Sequence, residues 1–491
     1  MKKIIALLLA VLLLCPLIVS CTGGNSEETV SDSVVEEESG LLLSDKIKGV
    51  KFGGEEINIW QTKTASNAAE YYYDMNGSND GEDFVMLELY KRNVTVEEYL
   101  NVQINFIDTG AESKDAADAI RPSLQAGSTE FDAYQLVQHN GIALVIEGWF
   151  KNLDDSKYLD FSGEWWAQGF MDNAKINGHN YVMAGDVGVD MVSCAGAIFV
   201  NKNMLKENYG EDAYENLRTT VLEGKWTIDE LTKLSKDMYH DLNNNNSVDI
   251  QDQFGFLSVQ HNIDGFYFGA GCTTVERDNE GKAVLTIGNE YSVNVMDRLY
   301  RMMHTESPND YGNNAGGTQL YNNLHSPTIV QKFADGEMLF STGYFYTARN
   351  FTNMADEFAP LPYPKFDLEQ KEYHSIIHNS TTIYAIPNSC IKYDQTGATF
   401  EAMAAFGRQM VIPFYYEQVL KLRYLSEEGD TKLVDLIYDT RMSDTGVIFN
   451  TTAFFIPRYM IQYKNSNMST LLTQNRNIIN KELKSINNIK F

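Results

Sequence analysis

The chain has 491 residues, 43% hydrophobic and 12% aromatic, with 39 basic residues against 67 acidic ones and a formal charge of -28. A chain this acidic is repelled by nucleic-acid phosphates and by anionic lipid surfaces, which excludes polyanion-binding functions. Its length suffices for a large core and favours more than one lobe.

Lys2 and Lys3 precede an apolar run from Ile4 to Val19, then Ser20-Cys21. A positive start, an apolar stretch and a small residue before a cleavage point make residues 1–20 a secretory signal. The run falls short of the roughly 20 apolar residues that a comfortable membrane span needs. Leu17-Ile18-Val19-Ser20-Cys21 is similar to a bacterial lipobox, and the similarity implies cleavage before Cys21 and lipidation of its thiol. The alternative is an ordinary signal with an incidental cysteine, or a signal anchor. Thr22 to Ser39 is rich in Gly, Ser, Thr and Glu and holds no aromatic residue. Such a segment buries no core, so 21–50 is expected to be a flexible acidic tether. Removing residues 1–20 deletes two lysines and no acid, taking the charge from -28 to -30. Cys15 and Cys21 aside, Cys194, Cys272 and Cys390 remain, far apart and without CxxC or zinc spacing. An odd count leaves room for one disulfide at most.

Glu56 to Trp60 alternates polar and apolar residues as a strand does. Phe84 to Leu100 has helical spacing, and Val102 to Ile107 alternates again. Asp115 to Ala126 reads as a helix that stops at Gly127, a break or kink at Pro122 being the alternative. Phe131 to Val137 is a third strand and Gly141 to Trp149 a helix. This alternation predicts a parallel α/β sheet with right-handed crossovers. A second group follows. Ala195 to Val200 is an apolar strand, and Thr227 with Glu230 forms a capping box ahead of a helix. Val330 to Phe340 predicts a helix, a turn at Asp335-Gly336 and a strand into Phe345; Thr382 to Ile386 is another strand. Phe400 to Met410 and Tyr415 to Tyr424 look helical, and no solenoid repeat is present.

In this order the segments resemble the extracellular solute-binding proteins of carbohydrate ABC transporters, in the lipoprotein form of Gram-positive anaerobes. The residues that carry the resemblance are Arg92-Asn93 with Val96-Glu97-Glu98 and Asn101-Val102; Gln125-Ala126-Gly127 with Phe131-Asp132; and Lys175 to Gly178 with Tyr181 and Asn201-Lys202. Phe333 to Phe340, Leu361 to Pro364, His374-Ser375 and Ile386-Pro387 continue it. It covers roughly Glu55 to the C-terminus, less well between Tyr267 and Gln331 and in the C-terminal part. It implies an α/β, two-lobed periplasmic-binding-protein-like fold with a hinge and a ligand cleft between the lobes. One lobe would hold 51–185 plus about 383–440, the other 186–382 plus about 441–491. It further implies a monomer that delivers a carbohydrate to a transporter permease, held to the extracellular face of the cytoplasmic membrane only by its lipid.

Sugars are bound by aromatic faces and planar polar groups. Aromatics occur in runs: Tyr71-Tyr72-Tyr73, Trp165-Trp166, Phe266-Tyr267-Phe268 and Tyr344-Phe345-Tyr346. Any one run also suits a core. In a strand, Tyr344 and Tyr346 share a face opposite Phe345. The resemblance takes this segment to the cleft. Polar candidates follow predicted strands: Gln61 and Thr62; Gln138, His139 and Asn140; Asp186 at the crossing; and Asn379 at the return crossing. Capping and loop hydrogen bonds are the alternative for each. His374 and His378 alone make a poor metal site.

The stretch Asp241 to Asp252 aligns to a calcium loop, with Asp241, Asn243, Asn245, the Ser247 carbonyl, Asp249 and Asp252 as oxygen ligands. Asn246 stands where such loops carry Gly, and Asp252 where they carry Glu. A structural Ca²⁺ held at roughly 10⁻⁴–10⁻³ M is expected; the alternative is an Asn-rich turn without metal. No GxSxG, HExxH, P-loop or deaminase signature occurs, so a binding protein rather than an enzyme is expected. A tethered glycoside hydrolase and a binding protein for a non-sugar solute are the alternatives.

Overall fold

In the computed structural model, residues 42–63, 75–81, 83–258, 262–304, 326–421 and 428–488 are described. All of them fall in one compact unit, Leu42–Phe491. The signal, Cys21 and Tyr71–Tyr73 lie outside the described residues. Residues 42–50 are docked rather than free, which shortens the expected tether. Ile47 is fully buried, Gln409 bonds both main-chain groups of Leu42, and Ser44 Oγ donates to Asp160.

The first sheet forms as its alternation predicts. Strand β1 is Glu55–Lys63, and it buries Ile57 and Ile59. Helix α1, Phe84–Leu100, starts at Asp83, whose carboxylate accepts from the Val85 and Met86 N–H groups. It stops where Asn101 turns left-handed at φ 53°. Then come β2 (Val102–Glu112), α2 (Ser113–Gln125), β3 (Ala133–Val137) and α3 (Gln138–Ile146). Helix α2 runs through Pro122 instead of breaking there. Both β2 and β3 pair parallel to β1. After α4 (Gln168–Ala174) the chain crosses to a second sheet.

The second group contains β4 (Gly196–Asn201), α5 (Lys202–Tyr209), α6 (Ala213–Leu222), α7 (Ile228–Ser235), β5 (Phe254–Leu257) and α8 (Ile263–Gly269). It continues with the β6–β7 pair (Val275–Arg277, Ala283–Leu285), α9 (Glu290–His304), α10 (Ser326–Ala334), β8 (Met338–Tyr344) and β9 (Phe358–Leu361). The sheet order is β5-β8-β4-β9, with β4 antiparallel to both neighbours. Only one half of the capping box forms at α7: Thr227 Oγ1 accepts from Glu230 N–H, while the Glu230 carboxylate pairs with Lys233.

The chain returns through β10 (Ser375–Ile376) to β11 (Thr382–Ala385), which pairs antiparallel with β3 and completes the order β11-β3-β1-β2. Helix α11 (Tyr393–Phe406) covers α1 and β1, and π-helical turns follow at Gly407–Val411 and Tyr415–Lys421. Helix α12 (Thr431–Asp439) does not stay with the first sheet, as 383–440 was expected to. Leu433, Val434 and Ile437 are buried, and the helix packs on α6 and β9. Strand β12 (Arg441–Met442) pairs with β10 at the crossing. Then α13 (Thr445–Ile448) touches α3 and α4, and α14 (Thr452–Gln462) with α15 (Met468–Asn487) pack against α8, α9 and β7.

The start of α12 is fixed by a buried charge cluster. Asp430 and Lys202 are fully buried, with Lys202 Nζ 2.8 Å from Asp430 Oδ2; Arg218 Nη1 lies 3.1 Å from Oδ1, and Tyr214 OH donates to the same carboxylate. Asp430→Ala would remove the carboxylate nearest to the buried Lys202 ammonium. It should cost about 3–5 kcal/mol in urea unfolding; a loss below about 1 kcal/mol would show that the cluster is not what holds this joint.

Candidate functional site

Ligands of open α/β sheets sit beyond the carboxyl ends of strands, and there the two sheets place a shared group of side chains. Tyr344 ends β8. The chain then turns into a 3-10 helix, Phe345–Phe351, rather than continuing as the expected strand. The turn is set by Phe345 N–H donating to Ala195 O (3.0 Å) and Tyr344 N–H donating to Thr347 Oγ1 (3.1 Å). Phe345, Tyr344 and Tyr346 are all buried, and the Tyr344 and Tyr346 rings stack with centroids 5.4 Å apart. The His378 ring centroid is 4.5 Å from that of Tyr344.

The next residue, Asn379, joins this group to the first sheet. Its carbonyl accepts from His139 N–H (3.1 Å) and from the His139 ring at Nδ1 (3.0 Å). A carbonyl only accepts, so Nδ1 carries the proton. Burial pushes the His139 pKa down and Arg458 pushes it the same way, while the Asn379 bond opposes them. Asn379 Nδ2 donates to Asn450 Oδ1 (3.3 Å). Gln138 Nε2 donates to Val447 O (2.9 Å) and Ile448 O (3.2 Å) of α13, tying the start of α3 to the C-terminal region.

The second sheet adds residues that the sequence did not point to. Asn262, just past β5, donates through Nδ2 to Thr342 Oγ1 (2.8 Å), and Thr342 Oγ1 donates to Ser258 Oγ (3.1 Å). Asp264 takes the guanidinium of Arg458 in a paired contact, with Nε 2.9 Å from both carboxylate oxygens. The Arg458 guanidinium lies over the Phe454 and Phe455 rings at 4.5 and 5.2 Å. No local pattern marks this pair, because its partners stand 194 positions apart.

Other expected ligand residues lie elsewhere. Gln61 Oε1 accepts from Met75 N–H (3.2 Å), and Thr62 Oγ1 donates to Gln135 O (3.0 Å). Tyr267 is fully buried in α8, with its hydroxyl donating to Thr273 O (3.1 Å). Phe266-Tyr267-Phe268 is helical, so it forms core rather than a cleft edge. Asp186 lines a cavity of about 260 Å³ at the crossings, with Trp166, Arg408, Tyr438 and Arg441. Arg408 Nη1 is 3.6 Å from its carboxylate and donates to Tyr438 OH (2.9 Å).

The asparagine loop has part of the geometry a cation needs. Asp241 accepts from the Asn245 and Asn246 N–H groups (3.2 and 2.8 Å), Asn243 Oδ1 from Asn245 N–H (3.0 Å), and Asn245 Oδ1 from Ser247 N–H (2.7 Å). Asn244 and Asn246 are left-handed, at φ 56° and 60°, so Asn246 does supply the turn that Gly usually makes. Asp252 is fully buried; its Oδ2 accepts from Asp249 N–H and Tyr239 OH, both at 2.9 Å, and its Oδ1 has no partner. Asp249 is held below the usual carboxylate range by bonds from Gln251 N–H and the Asn245 amide. Among the described residues no three His, Cys, Asp or Glu side chains converge as metal ligands. A cation here would therefore rest largely on amide and carbonyl oxygens.

Compared with known proteins, the chain matches no family model and no curated protein sequence. Its fold is well represented among solved structures. A cyclo/maltodextrin-binding protein complexed with maltotetraose aligns at TM-score 0.54 and 11% identity, over 89% of this chain and 100% of that one. UgpB from Mycobacterium tuberculosis, in complex with glycerophosphocholine, aligns at TM-score 0.53 and 13% identity, over 88% and 98%. The maltose/maltodextrin-binding domain MalE from Bdellovibrio bacteriovorus, bound to maltotriose, aligns at TM-score 0.53 and 11% identity, over 87% and 100%. The architecture is that of these two-lobed binding proteins.

Two buried carboxyls give the fold a pH dependence. Burial pushes Asp186 up to about 7, against the pull of Arg408. It pushes Glu401 up to about 7 as well, against bonds from Asp160 N–H and Trp166 Nε1–H. Unfolded, both titrate near pH ~4. The folded chain thus keeps two protons that the unfolded chain releases. Their stabilisation is complete below about pH 4 and is lost as pH rises through about 7. The melting temperature should fall from pH 5 to pH 8, and the Asp186→Asn, Glu401→Gln double variant should flatten that slope. An unchanged slope in the double variant would contradict the assignment.

Proposed function

We propose that this is a lipid-anchored extracellular solute-binding protein that captures a carbohydrate, an oligosaccharide, and hands it unchanged to an ABC importer. The observation that carries this reading is the stacked Tyr344–Tyr346 pair beside His378, Asn379 and His139, where the carboxyl ends of the two sheets meet. Aromatic faces pack on the C–H face of a sugar ring, and amides and imidazoles bond its hydroxyls. The fold comparisons support the reading, since proteins of this architecture hold maltotetraose and maltotriose. The two sheets, with their helices, would be the two lobes, and the crossings at 186–195, 361–382 and 440–445 the hinge. Cys21 would carry the lipid on the extracellular face of the cytoplasmic membrane. Among the described residues no helix is long and apolar enough to cross a membrane.

Differential scanning fluorimetry against maltotriose, maltotetraose and raffinose tests the capture. At least one glycan should raise the melting temperature and be recovered intact. A shortened product would turn the reading to a glycoside hydrolase, and a response only to glycerophosphocholine would turn it to a non-sugar solute. Cys21→Ala should release the protein from membranes into the medium; retention would contradict the anchor.

We also propose that the 241–252 loop binds a structural Ca²⁺, at roughly 10⁻⁴–10⁻³ M. The orphaned Asp252 Oδ1 and the left-handed Asn246 support it. Calorimetric titration of chelator-treated protein should show heat at millimolar calcium, together with a higher melting temperature. Neither signal appearing would leave an Asn-rich turn.

A further inference from the structure

We propose that the cavity at the crossings is a second ligand pocket, separate from the Tyr344–Tyr346 group. It takes one neutral, hydroxyl-rich ring of monosaccharide size, and its occupant biases the hinge. The pocket goes beyond the reading above and stands on its own residues; only its effect on glycan capture rests on that reading.

Its first ground is position. All three crossings line the cavity: Asp186 and Met191 on the first, Ile377 on the return, Arg441 and Met442 on the third. Ile377 and His378 are consecutive in a segment bonded on both sides, to Met442 O and to Cys194 O. Side chains of consecutive extended residues point to opposite faces. Ile377 faces the cavity, while the His378 ring packs on Tyr344. The cavity and the tyrosine pair therefore lie on opposite faces of the return crossing.

The second ground is an unanswered acceptor. Asp186 is 7% exposed and lines the cavity. Among the described residues no donor bonds its carboxylate: Arg408 Nη1 stands 3.6 Å away, beyond hydrogen-bond reach. A buried carboxylate without a donor is costly. On the facing wall, Arg441 spends Nε on Tyr438 O (2.8 Å) and Nη1 on Met191 O (2.9 Å). Its guanidinium is held 3.8 Å from the Tyr438 ring centroid, and its Nη2 has no partner among the described residues. A ligand here must donate at one point and accept at another.

Charge and volume decide the class. The Arg408 and Arg441 guanidiniums already face Asp186, and the exposed Glu164 and Asp439 stand at the rim. An ammonium would be a third cation beside two others, and an anion would meet three carboxyl groups. A hydroxyl both donates and accepts. Burial pushes Asp186 up to about 7, and a hydroxyl answers either form, donating to the carboxylate or accepting from the acid. The cavity, about 260 Å³, is many times the ~30 Å³ share of one water. It is smaller than the roughly 300–1,000 Å³ that drug-sized ligands occupy, so it has room for one ring rather than an oligosaccharide. Trp166, Ile377 and Met442 give that ring an apolar wall. Rotation at the crossings reshapes a cavity that all three of them line, so an occupant fitted to one arrangement favours it.

The test uses the mature chain and isothermal titration with D-glucose, D-galactose and D-mannose, with inorganic phosphate as the anionic control. At least one monosaccharide should bind at millimolar concentration, and phosphate should not. Asp186→Ala should weaken that binding at least tenfold. So should Ala167→Leu, which narrows the cavity without removing a polar group. Tyr344→Ala should leave it within twofold, with circular dichroism confirming that each variant is folded. In the wild type, saturating monosaccharide should change the affinity for the stabilising glycan about fivefold or more. No monosaccharide binding, a response to phosphate alone, or binding that Tyr344→Ala abolishes and the two cavity variants keep overturns the pocket while leaving sugar capture intact. Monosaccharide binding with unchanged glycan affinity overturns its hold on the hinge. If no glycan binds, the carbohydrate reading fails, and the monosaccharide titrations of the three variants still decide the pocket.

Discussion

Asp190 is a carboxylate with almost no access to water, and the joint between the two sheets depends on it. It lies on the first crossing, and its Oδ2 accepts from Thr381 Oγ1 (2.8 Å) and from Thr382 N–H, where the return crossing enters β11. Burial pushes its pKa up, and those two bonds pull it back. A single buried group, at the start of the short helix Asp190–Ser193, therefore ties the outgoing crossing to the return crossing where the latter enters β11. Around it, His378 N–H donates to Cys194 O (2.9 Å) and Ile377 N–H to Met442 O (3.0 Å), which brings in the third crossing. Three crossing segments pinned side by side, two of them the paired strands β10 and β12, resist sliding, the kind of constraint a hinge requires.

Arg92 plays the matching part on the first-sheet side. It is fully buried and donates to Val187 O (2.6 Å), Met403 O (3.2 Å) and Asn93 Oδ1 (2.8 Å). Desolvation lowers its pKa to about 10, which leaves it charged at neutral pH. A buried charge answered by carbonyl dipoles holds its acceptors firmly. It therefore fixes the start of the first crossing against α11. Gly407 shows how tight that packing is: a Cβ there would stand 1.8 Å from Asp186 O. The candidate site inherits this rigidity, because His378 and Asn379 lie on the return crossing itself.

The strands of the first sheet were legible because each buries one face. Ile57 and Ile59 go inward while Glu56 stays out, which is the alternation the sequence displays. Helix α1 was legible to its last residue, because Asp83 and Asn101 cap it locally. The site was legible only in part. His139 and Asn379 are expected from their places after predicted strands and Tyr344 and Tyr346 from the resemblance, and the structure brings these four into one connected group. Tyr267 lies buried in a helix and Phe345 leaves the expected strand for one reason. An apolar aromatic run carries no period of its own, and long-range bonds such as Phe345 N–H to Ala195 O decide its path. Asp264 and Arg458 had no sequence signal at all, since only tertiary folding brings α14 back to α8.

The central claim is that the crossings are a hinge and that ligand closes it. Spin labels at Lys91→Cys on α1 and Lys225→Cys beside α7 report on it directly. Both lysines are exposed, and in a chain begun at Thr22 the cysteines are Cys194, Cys272 and Cys390, all buried. Pulsed dipolar spectroscopy with and without the stabilising glycan should show a distance distribution that shifts and narrows on binding. The same distribution at saturation would contradict a closing cleft.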